Sequence, residues 1–419
     1  MAPMRRRARQ REGARSSDEQ GESAEPLVGN SPTDEESISW PMTVAAFAFP
    51  ALGGLLFGYD ISASSGAIDS LTDATRSGTE WGPPLAASEQ SIAKGFVVSG
   101  SLIGALGSSL VAVAYGDSIG RRRELLTASA LFIIGGVGMW NAWSYGVLVS
   151  SRVLYGLGIG FAMHGAPIYI GETAPTRVRG TLVSLKEAVI VSGILLGYLL
   201  GYSFSGDVGS WRTLWGLTAP LGVVFGAGML ALPNSPRFLL YKGNEEEAQR
   251  ALQRLRSIDG PQAERELQTL KLAQEESEAG GSGSTATEGK TYQVRRLLQG
   301  SNKKALTIGM SLMLFQQITG QPSVLYYATD IARQAGFSNT SAASFVSVGL
   351  GIVKLVTTLF ATTSIENFGR RPLLLGGVSV LTGSLLVLTV LSGERQGTAS
   401  AYLSLAAILV YTGAYQVRI

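Results

Sequence analysis

The sequence has 419 residues, of which 45% are hydrophobic, and its formal net charge is +3 at pH 7. That charge is too small to indicate a nucleic-acid partner. The absence of cysteine and the presence of one histidine exclude disulfides, thiol nucleophiles, Cys-ligated metals and multi-His metal sites. We find no nucleotide motif and no nucleophile–base pair, so an enzyme is disfavoured and no cofactor is expected.

Residues 1–41 form a polar segment in which a group of arginines is followed by a group of acids. No apolar core follows the arginines, so the segment is not a secretory signal peptide. Its composition is typical of a disordered tail.

Ten apolar runs follow, and several of them exceed the 18 residues that a soluble core rarely needs. They are rich in Gly, Ala and Ser, which allow helices to pack closely in lipid. The sequence therefore predicts an all-α, polytopic membrane protein in contact with the lipid bilayer. The predicted helices cover about 42–66, 93–115, 125–143, 146–170, 182–203, 212–232, 303–328, 342–365, 372–392 and 400–416.

Basic residues give the orientation of the helices, because cytosolic loops carry an excess of Lys and Arg. Arginines follow predicted helices 2, 4, 6 and 8, which all end on one side if the helices alternate. The N-terminal arginines fall on that side too, so we expect a cytosolic N-terminus. The loop arginines are Arg121, Arg122, Arg123, Arg177, Arg179, Arg237, Arg370 and Arg371.

These helices group into two bundles. We expect a six-helix bundle over 42–232, a cytosolic helical insert and linker over 233–302, and an incomplete, about four-helix bundle over 303–419. Segments 117–126 and 366–375 repeat an acid, a Gly, an Arg-Arg pair and a Leu-Leu pair at the same offsets. Transporters built from two related halves show this kind of internal repeat.

Five motifs, in order along the chain, resemble those of the sugar porters in the major facilitator superfamily. They are GGLLFGYD at 53–60, Arg152 within SRVLYGLGIG, ETAPTRVRG at 172–180, PNSPR at 233–237 and QQITGQPSVLYY at 316–327. Together with SLKE at 184–187, the last motif is similar to the plant and algal group of D-xylose–proton symporter-like or vacuolar glucose transporters.

The resemblance implies the major facilitator fold and proton-coupled symport of a monosaccharide, a hexose or a pentose, by alternating access. In such proteins the helix 1 Asp takes the proton and pairs with the helix 4 Arg, which correspond here to Asp60 and Arg152. Asp60 lies near the outer end of predicted helix 1 and Arg152 near the outer start of helix 4, so the two are expected at similar depth. A carboxylate in lipid costs about 2.5–3.5 kcal/mol, so Asp60 should have a partner or a function.

The resemblance also assigns a sugar site to predicted helix 7. For Gln316 and Gln317, the alternative to contacting the sugar is that they form hydrogen bonds between helices. The residues expected to contact the sugar are Gln316, Gln317, Gln321, Tyr326 and Tyr327.

Three positions depart from the family pattern at this site. Pro322 replaces an Asn of helix 7, Glu187 a Gln of helix 5, and Lys354 an Asn of helix 8. Because an unpaired buried charge is costly, we predict a buried ion pair between Glu187 and Lys354. The alternative is that Lys186 pairs locally with Glu187 while Lys354 snorkels.

The Arg-rich loops are also expected, by resemblance, to form salt bridges that close a cytosolic gate. Asn234 replaces a Glu of the family and removes one acid from that network. The gate residues are Asp117, Arg121, Arg122, Glu172, Arg179, Arg237, Glu366, Arg370 and Arg371.

Two further signals are discounted. The glycines at 156–160 have no preceding strand, so they indicate helix packing and not a dinucleotide site. His164 is the one histidine, and we expect it to be packed or hydrogen-bonded, with a proton relay as the less favoured alternative.

The family has twelve helices, whereas the tenth predicted helix here reaches the last residues of the sequence. We expect either that the sequence is part of a longer protein or that this chain does not transport on its own. The alternatives to symport are a facilitative uniporter and a truncated, non-transporting partner of a full-length transporter. The vacuolar membrane and the plastid envelope are the expected locations.

Overall fold

The apolar runs fold into helices, which satisfy every backbone amide without water. The chain is described here by a computed structural model that covers residues 39–417, except 88–89, 176, 280–299, 335, 338, 369 and 393–397. The predicted tail before residue 39 and the predicted linker at 280–289 lie outside these residues. Every regular element in the described part of the chain is a helix, which confirms the all-α prediction.

The helices between residues 40 and 231 mostly extend a few residues beyond the predicted apolar runs. The sixth predicted helix is divided in two at Leu217. The elements are α1 (Trp40–Thr72), α2 (Ser91–Ile119), α3 (Arg121–Trp140), α4 (Tyr145–Thr173), α5 (Arg179–Ser203), α6 (Ser210–Gly216) and α7 (Thr218–Ala231).

The charged segment after α7 folds into three short helices, as its helical spacing of apolar residues predicts. They are α8 (Pro236–Tyr241), α9 (Glu245–Arg256) and α10 (Gly260–Ala279). Leu240, Leu252 and Leu267 pack in a small core of their own, separate from the main core.

The second group of helices contains the largest departure from the predicted elements. The seventh predicted helix is three pieces, and Gly320, with φ +76°, separates the first two. Glycine takes this left-handed conformation without a Cβ penalty. The elements are α11 (Gly300–Ile318), α12 (Gln321–Tyr326), α13 (Ala328–Gln334), α14 (Thr340–Phe368), α15 (Arg370–Ser392) and α16 (Thr398–Val417).

Seven segments of the described chain are long and apolar enough to cross a membrane by length and composition. They correspond to predicted helices 1, 2, 4, 5, 6, 8 and 9. Large apolar side chains are exposed along them, including Leu106 and Val113 of α2 and Leu386 of α15. Lipid is the solvent that such surfaces require.

Small residues bring the helices of the first bundle close together. A Cβ at Gly58 of α1 would overlap the backbone carbonyl of Ile190 in α5, and one at Gly156 of α4 would overlap that of Ser101 in α2. Gly156 therefore serves helix packing, as its sequence context indicates. The two bundles meet where α14 packs on α5 and where α12 and α13 pack on α1.

Candidate functional site

Asp60 and Arg152 form an ion pair in the interior of the first bundle. Arg152 Nη1 lies 2.6 Å from Asp60 Oδ1, and both side chains are 0% exposed. The pair joins α1 to α4, the two helices on which the sequence places these residues at similar depth.

Neutral groups complete the surroundings of this pair. Ser101 Oγ donates to Asp60 Oδ2 at 2.8 Å, and Arg152 donates to the backbone carbonyls of Val97 and Val98. The guanidinium also lies 5.0 Å from the Trp215 ring centroid. These contacts supply the hydrogen bonds that a buried ion pair needs.

The short helix α12 brings Gln321 and Tyr326 to the boundary between the bundles. Gln321 Nε2 is buried and makes no hydrogen bond among the described residues, and the buried Tyr326 hydroxyl lies beside Ser101. Tyr326 is close enough to interact electrostatically with Asp60 and Arg152. Buried polar groups without a partner are costly, so such atoms are candidates for ligand contacts.

The other predicted sugar contacts are less enclosed. Gln316 is half-buried and Gln317 is exposed on α11, and Tyr327 is half-buried. Lys94 Nζ lies 5.8 Å from the Tyr327 ring centroid. The structure therefore places Tyr326 close to the ion pair and buries Gln321 on the same short helix, whereas Gln317 is exposed.

The predicted direct ion pair between Glu187 and Lys354 is not formed in this conformation. Lys354 Nζ instead donates to Gln416 Oε1 of α16 at 2.8 Å, and Lys354 is 5% exposed. Glu187 interacts with both Lys354 and Lys186 through its charge without forming a salt bridge to either. The prediction failed because Gln416, which the sequence did not single out, reaches the ammonium group within the second bundle.

Ion pairs also join the two bundles near the end of α1 and the start of α2. Lys94 Nζ of α2 lies 2.8 Å from Asp330 Oδ2 of α13, and Arg333 Nη1 of α13 lies 3.0 Å from Asp69 Oδ1 of α1. Ser65 of α1 and Thr329 of α13 add a hydrogen bond of 3.0 Å. We define these two ion pairs as the outer ion pairs.

The loop after α1 supports the outer ion pairs. Arg76 binds Asp69 Oδ2 at 3.0 Å and Asp73 Oδ2 at 2.9 Å, and it donates to the Ser205 carbonyl. Burial opposes ionisation of Asp73, but hydrogen bonds from Thr75 and Arg76 outweigh it and hold the pKa of this carboxyl well below its ordinary value. The loop is therefore fixed by charges that stay ionised.

At the opposite end of α2, three of the predicted gate residues come together. Arg121 lies 2.8 Å from Asp117 and 3.4 Å from Glu172. Arg122 binds the carbonyls of Met229 and Leu230 at the end of α7 instead of an acid.

The described residues do not test the remaining gate predictions. Arg179 is half-buried, and Arg237 and Arg371 are exposed. The side chains of Glu366 and Arg370 lie outside the described residues. The cytosolic gate across the two bundles therefore remains a prediction.

Sequence reasoning missed the outer ion pairs and a buried pair between Glu124 and His164. Asp330 and Arg333 are spaced i, i+3 at the end of predicted helix 7, which was the available signal. Charged residues at a helix end are usually solvated, and the sequence alone does not identify partners for them on another helix.

The sequence also matches a known protein family. Residues 46–419 match the family model for "Sugar (and other) transporter". The chain belongs to this sugar transporter family. The predicted membership is thereby confirmed.

Two curated plant relatives of the sugar transporter family are similar over most of the chain. "D-xylose-proton symporter-like 3, chloroplastic" from Arabidopsis thaliana is 44% identical over 413 residues, covering 95% of this chain and 70% of the relative. "D-xylose-proton symporter-like 2" from the same plant is 42% identical, covering 97% and 79%. The human "Solute carrier family 2, facilitated glucose transporter member 12" is 34% identical, covering 82% and 52%.

A solved structure of the family has the same fold. The partially occluded inward-open form of the xylose transporter XylE from E. coli superimposes with a TM-score of 0.73 at 26% identity, covering 90% of this chain and 82% of XylE. This sugar transporter is therefore an all-α, multi-pass membrane protein of the major facilitator superfamily, as predicted.

Proposed function

We propose that this protein carries a monosaccharide across a membrane together with a proton, by alternating access. The observation that carries the proposal is the fully buried Asp60–Arg152 pair, which lies beside the polar groups of α12. The names of the plant relatives and of XylE as a proton:xylose symporter support the same activity.

Asp60 is the proposed proton carrier. As a carboxylate it is held by Arg152 and by the Ser101 hydroxyl, so α1 and α4 are joined. Protonation places a hydrogen on a carboxyl oxygen and removes the charge that holds the guanidinium. The contact between α1 and α4 then weakens, which lets the bundles change their relative orientation.

The proposed sugar contacts lie on the second bundle next to this pair. Sugar hydroxyls would complete the hydrogen bond that Gln321 Nε2 lacks and would contact the Tyr326 hydroxyl. A monosaccharide offers hydroxyl donors and acceptors together with an apolar ring face, which fits an amide next to an aromatic ring. Tyr326 would then link the occupied sugar site to the Asp60 carboxyl. The other predicted contacts, Gln316, Gln317, Tyr327, Glu187 and Lys354, are proposed to join the site in other conformations.

The outer ion pairs are proposed as the outer gate. They connect α1 and α2 to α13, so opening to the outer side requires both pairs to separate. Asp117, Arg121 and Glu172 are proposed to belong to the inner gate. The protein is a symporter if it changes quickly between its outward-open and inward-open conformations in two cases only. Either Asp60 carries a proton and sugar is bound, or the site holds no proton and no sugar.

Uptake of radiolabelled D-xylose and D-glucose into proteoliposomes tests this function. The protein expressed from its complete coding sequence should accumulate one of these sugars when the outside is acid, and a protonophore should abolish accumulation. Asp60→Asn should lose acid-stimulated accumulation but keep sugar exchange at equal concentrations. The exposed Asp207→Asn variant is the matched control and should behave as the wild type.

The same experiment separates the alternatives. Uptake that ignores the protonophore would indicate a facilitative uniporter. No exchange of any sugar by the wild type would overturn transport and favour a non-transporting partner.

We further propose that the protein resides in the vacuolar membrane or the plastid envelope, with a cytosolic N-terminus. The name of the chloroplastic relative supports the plastid. Fractionation of organelles from cells that express a C-terminal fluorescent fusion would decide between the two, and recovery in the plasma membrane would contradict both.

A further inference from the structure

A second buried carboxylate lies in the first bundle, apart from Asp60. Glu124, in the first turn of α3, has a side chain that is 0% exposed. Its Oε1 atom lies 2.8 Å from Nδ1 of His164 in α4, and its Oε2 atom makes no hydrogen bond within the described part of the chain. The proposed transport cycle uses neither residue.

The packing around this pair depends on two glycines. A Cβ at Gly116 of α2 would lie 2.9 Å from His164 Cε1, and one at Gly165 of α4 would lie 3.3 Å from Glu124 Oε2. Three helices therefore enclose the pair closely. Burying a carboxylate here is costly unless the group is paired, so the imidazole is its necessary partner.

The charged groups around Glu124 determine where an added proton binds. They are His164 from α4, Arg121 from α3 and Asp117 from α2. Arg121 is already bound to Asp117 at 2.8 Å and lies 3.4 Å from Glu172 of α4. The His164 side chain is 24% exposed and the Glu124 side chain is 0% exposed, so the imidazole is the more accessible member of the pair.

We propose that Glu124 and His164 form a second proton-binding site. The neutral imidazole donates its Nδ1–H to Glu124 Oε1, and an added proton is bound at Nε2. The protonated site is an imidazolium–carboxylate pair with no net charge. Loss of that proton leaves a buried carboxylate beside a neutral ring, with Arg121 as its remaining cation.

The consequence for the transporter concerns Arg121, and this step rests on the proposed function. When the site is deprotonated, Glu124 competes with Asp117 and Glu172 for the Arg121 guanidinium. The cytosolic contacts of α2, α3 and α4 then weaken. The site thus couples pH to the inner gate, separately from the proton carried by Asp60.

Nuclear magnetic resonance tests the site directly, because His164 is the one histidine in the sequence. Protein purified through a tag that lacks histidine, labelled with nitrogen isotope in its histidine and placed in lipid nanodiscs, gives signals from this imidazole alone. The spectra are recorded between about pH 5 and 8, where an imidazole can change charge, and the signals of a proton-binding site should change as pH is varied. The titration should move to a different pH in Glu124→Gln and stay in place in the exposed Glu80→Gln control.

Signals that do not change over this pH range would overturn the proposal, as would an identical titration in Glu124→Gln. The wild-type titration alone decides whether the imidazole binds a proton, even if Glu124→Gln does not fold.

Sugar exchange at equal concentrations tests the coupling to the gate. With no proton gradient, we expect the wild-type rate to change several-fold as pH is varied over the same range and His164→Gln to lose the component that follows the NMR titration. A His164→Gln profile that matches the wild type would overturn the coupling step. No exchange by the wild type would overturn the transport proposal instead, while the NMR titration still decides the proton site.

Discussion

Lys94 of α2 and Asp330 of α13 form an ion pair of 2.8 Å that joins the two bundles. Both side chains are about a quarter exposed, at 22% and 27%. Water therefore screens the pair in part, and its contribution is on the order of 1 kcal/mol. The neighbouring pair between Asp69 and Arg333 is better shielded, because Asp69 is 4% exposed.

Neutralising Asp330 should open the outer side more often. Asp330→Asn removes one contact of the proposed outer gate, so we expect the outward-open population to rise on the order of fivefold. The sequence contains no cysteine, so Ser347→Cys introduces a single thiol. Ser347 is 1% exposed and lies 3.4 Å from Thr329 at the interface, and its labelling by an impermeant maleimide reports opening.

The exchanged pair, Lys94→Asp with Asp330→Lys, is the control for this prediction. It keeps both charges at the same separation and should restore slow labelling. Labelling that is equally slow in Asp330→Asn and in the wild type would show that the pair does not hold the outer side closed.

Breaking the Asp60–Arg152 pair from the arginine side should destabilise the protein strongly. Arg152→Met leaves a carboxylate with no cation at a site that is 0% exposed, at a cost of about 3–5 kcal/mol. The double variant with Asp60→Asn removes both charges and should recover most of that loss. Thermal unfolding in detergent measures the difference, and equal melting temperatures for the single and double variants would contradict the coupling.

The sequence predicted most of the helices from local patterns, and it predicted the Asp60–Arg152 pair from the resemblance to sugar porters, with which the depth of the two residues agrees. Apolar runs fix membrane helices, and alternating orientation places the outer ends of α1 and α4 at one depth. It did not predict that Lys354 contacts Gln416, because the packing of α14 on α16 determines which side chain lies within reach of the ammonium group. The contact between Glu124 and His164 was missed because it also depends on packing between helices, although each residue is unusual within an apolar helix.

The Lys354 ammonium group should be stabilised more by Gln416 than by Glu187. Its ammonium group donates to Gln416 at 2.8 Å, whereas its interaction with Glu187 is through charge alone. Gln416→Leu should cost about 1.5–3 kcal/mol of stability, because it leaves a buried charged donor without its acceptor. The Lys354–Gln416 coupling measured in a double-mutant cycle should exceed the Lys354–Glu187 coupling.

The variants for this cycle are Lys354→Met, Gln416→Leu and Glu187→Gln, alone and in pairs, followed by thermal unfolding and sugar affinity. Lys354→Met alone should also weaken sugar binding if this residue contacts the substrate, as proposed. A larger coupling to Glu187 than to Gln416 would restore the direct ion pair as the dominant interaction.

Two glycines of α4 should respond oppositely to the same substitution. A Cβ at Gly156 would overlap the backbone of Ser101 in α2, and backbone cannot move aside as a flexible side chain can. Gly156→Ala should therefore cost about 1–3 kcal/mol of stability by overpacking. A Cβ added at Gly146, in the first turn of the same helix, would meet no atom of the described residues within 4 Å.

Gly146→Ala is the matched control, since alanine lowers the entropy cost of forming a helix by up to about 1 kcal/mol relative to glycine. It should leave the melting temperature unchanged or raise it, while Gly156→Ala lowers it. A Gly156→Ala protein as stable as the wild type would mean that α2 and α4 can separate without cost.

The buried Arg152 would then lose its carbonyl contacts on α2, because Val97 and Val98 belong to the same helix as Ser101. Transport measured on the same variant would show this as a weakened dependence on the proton gradient.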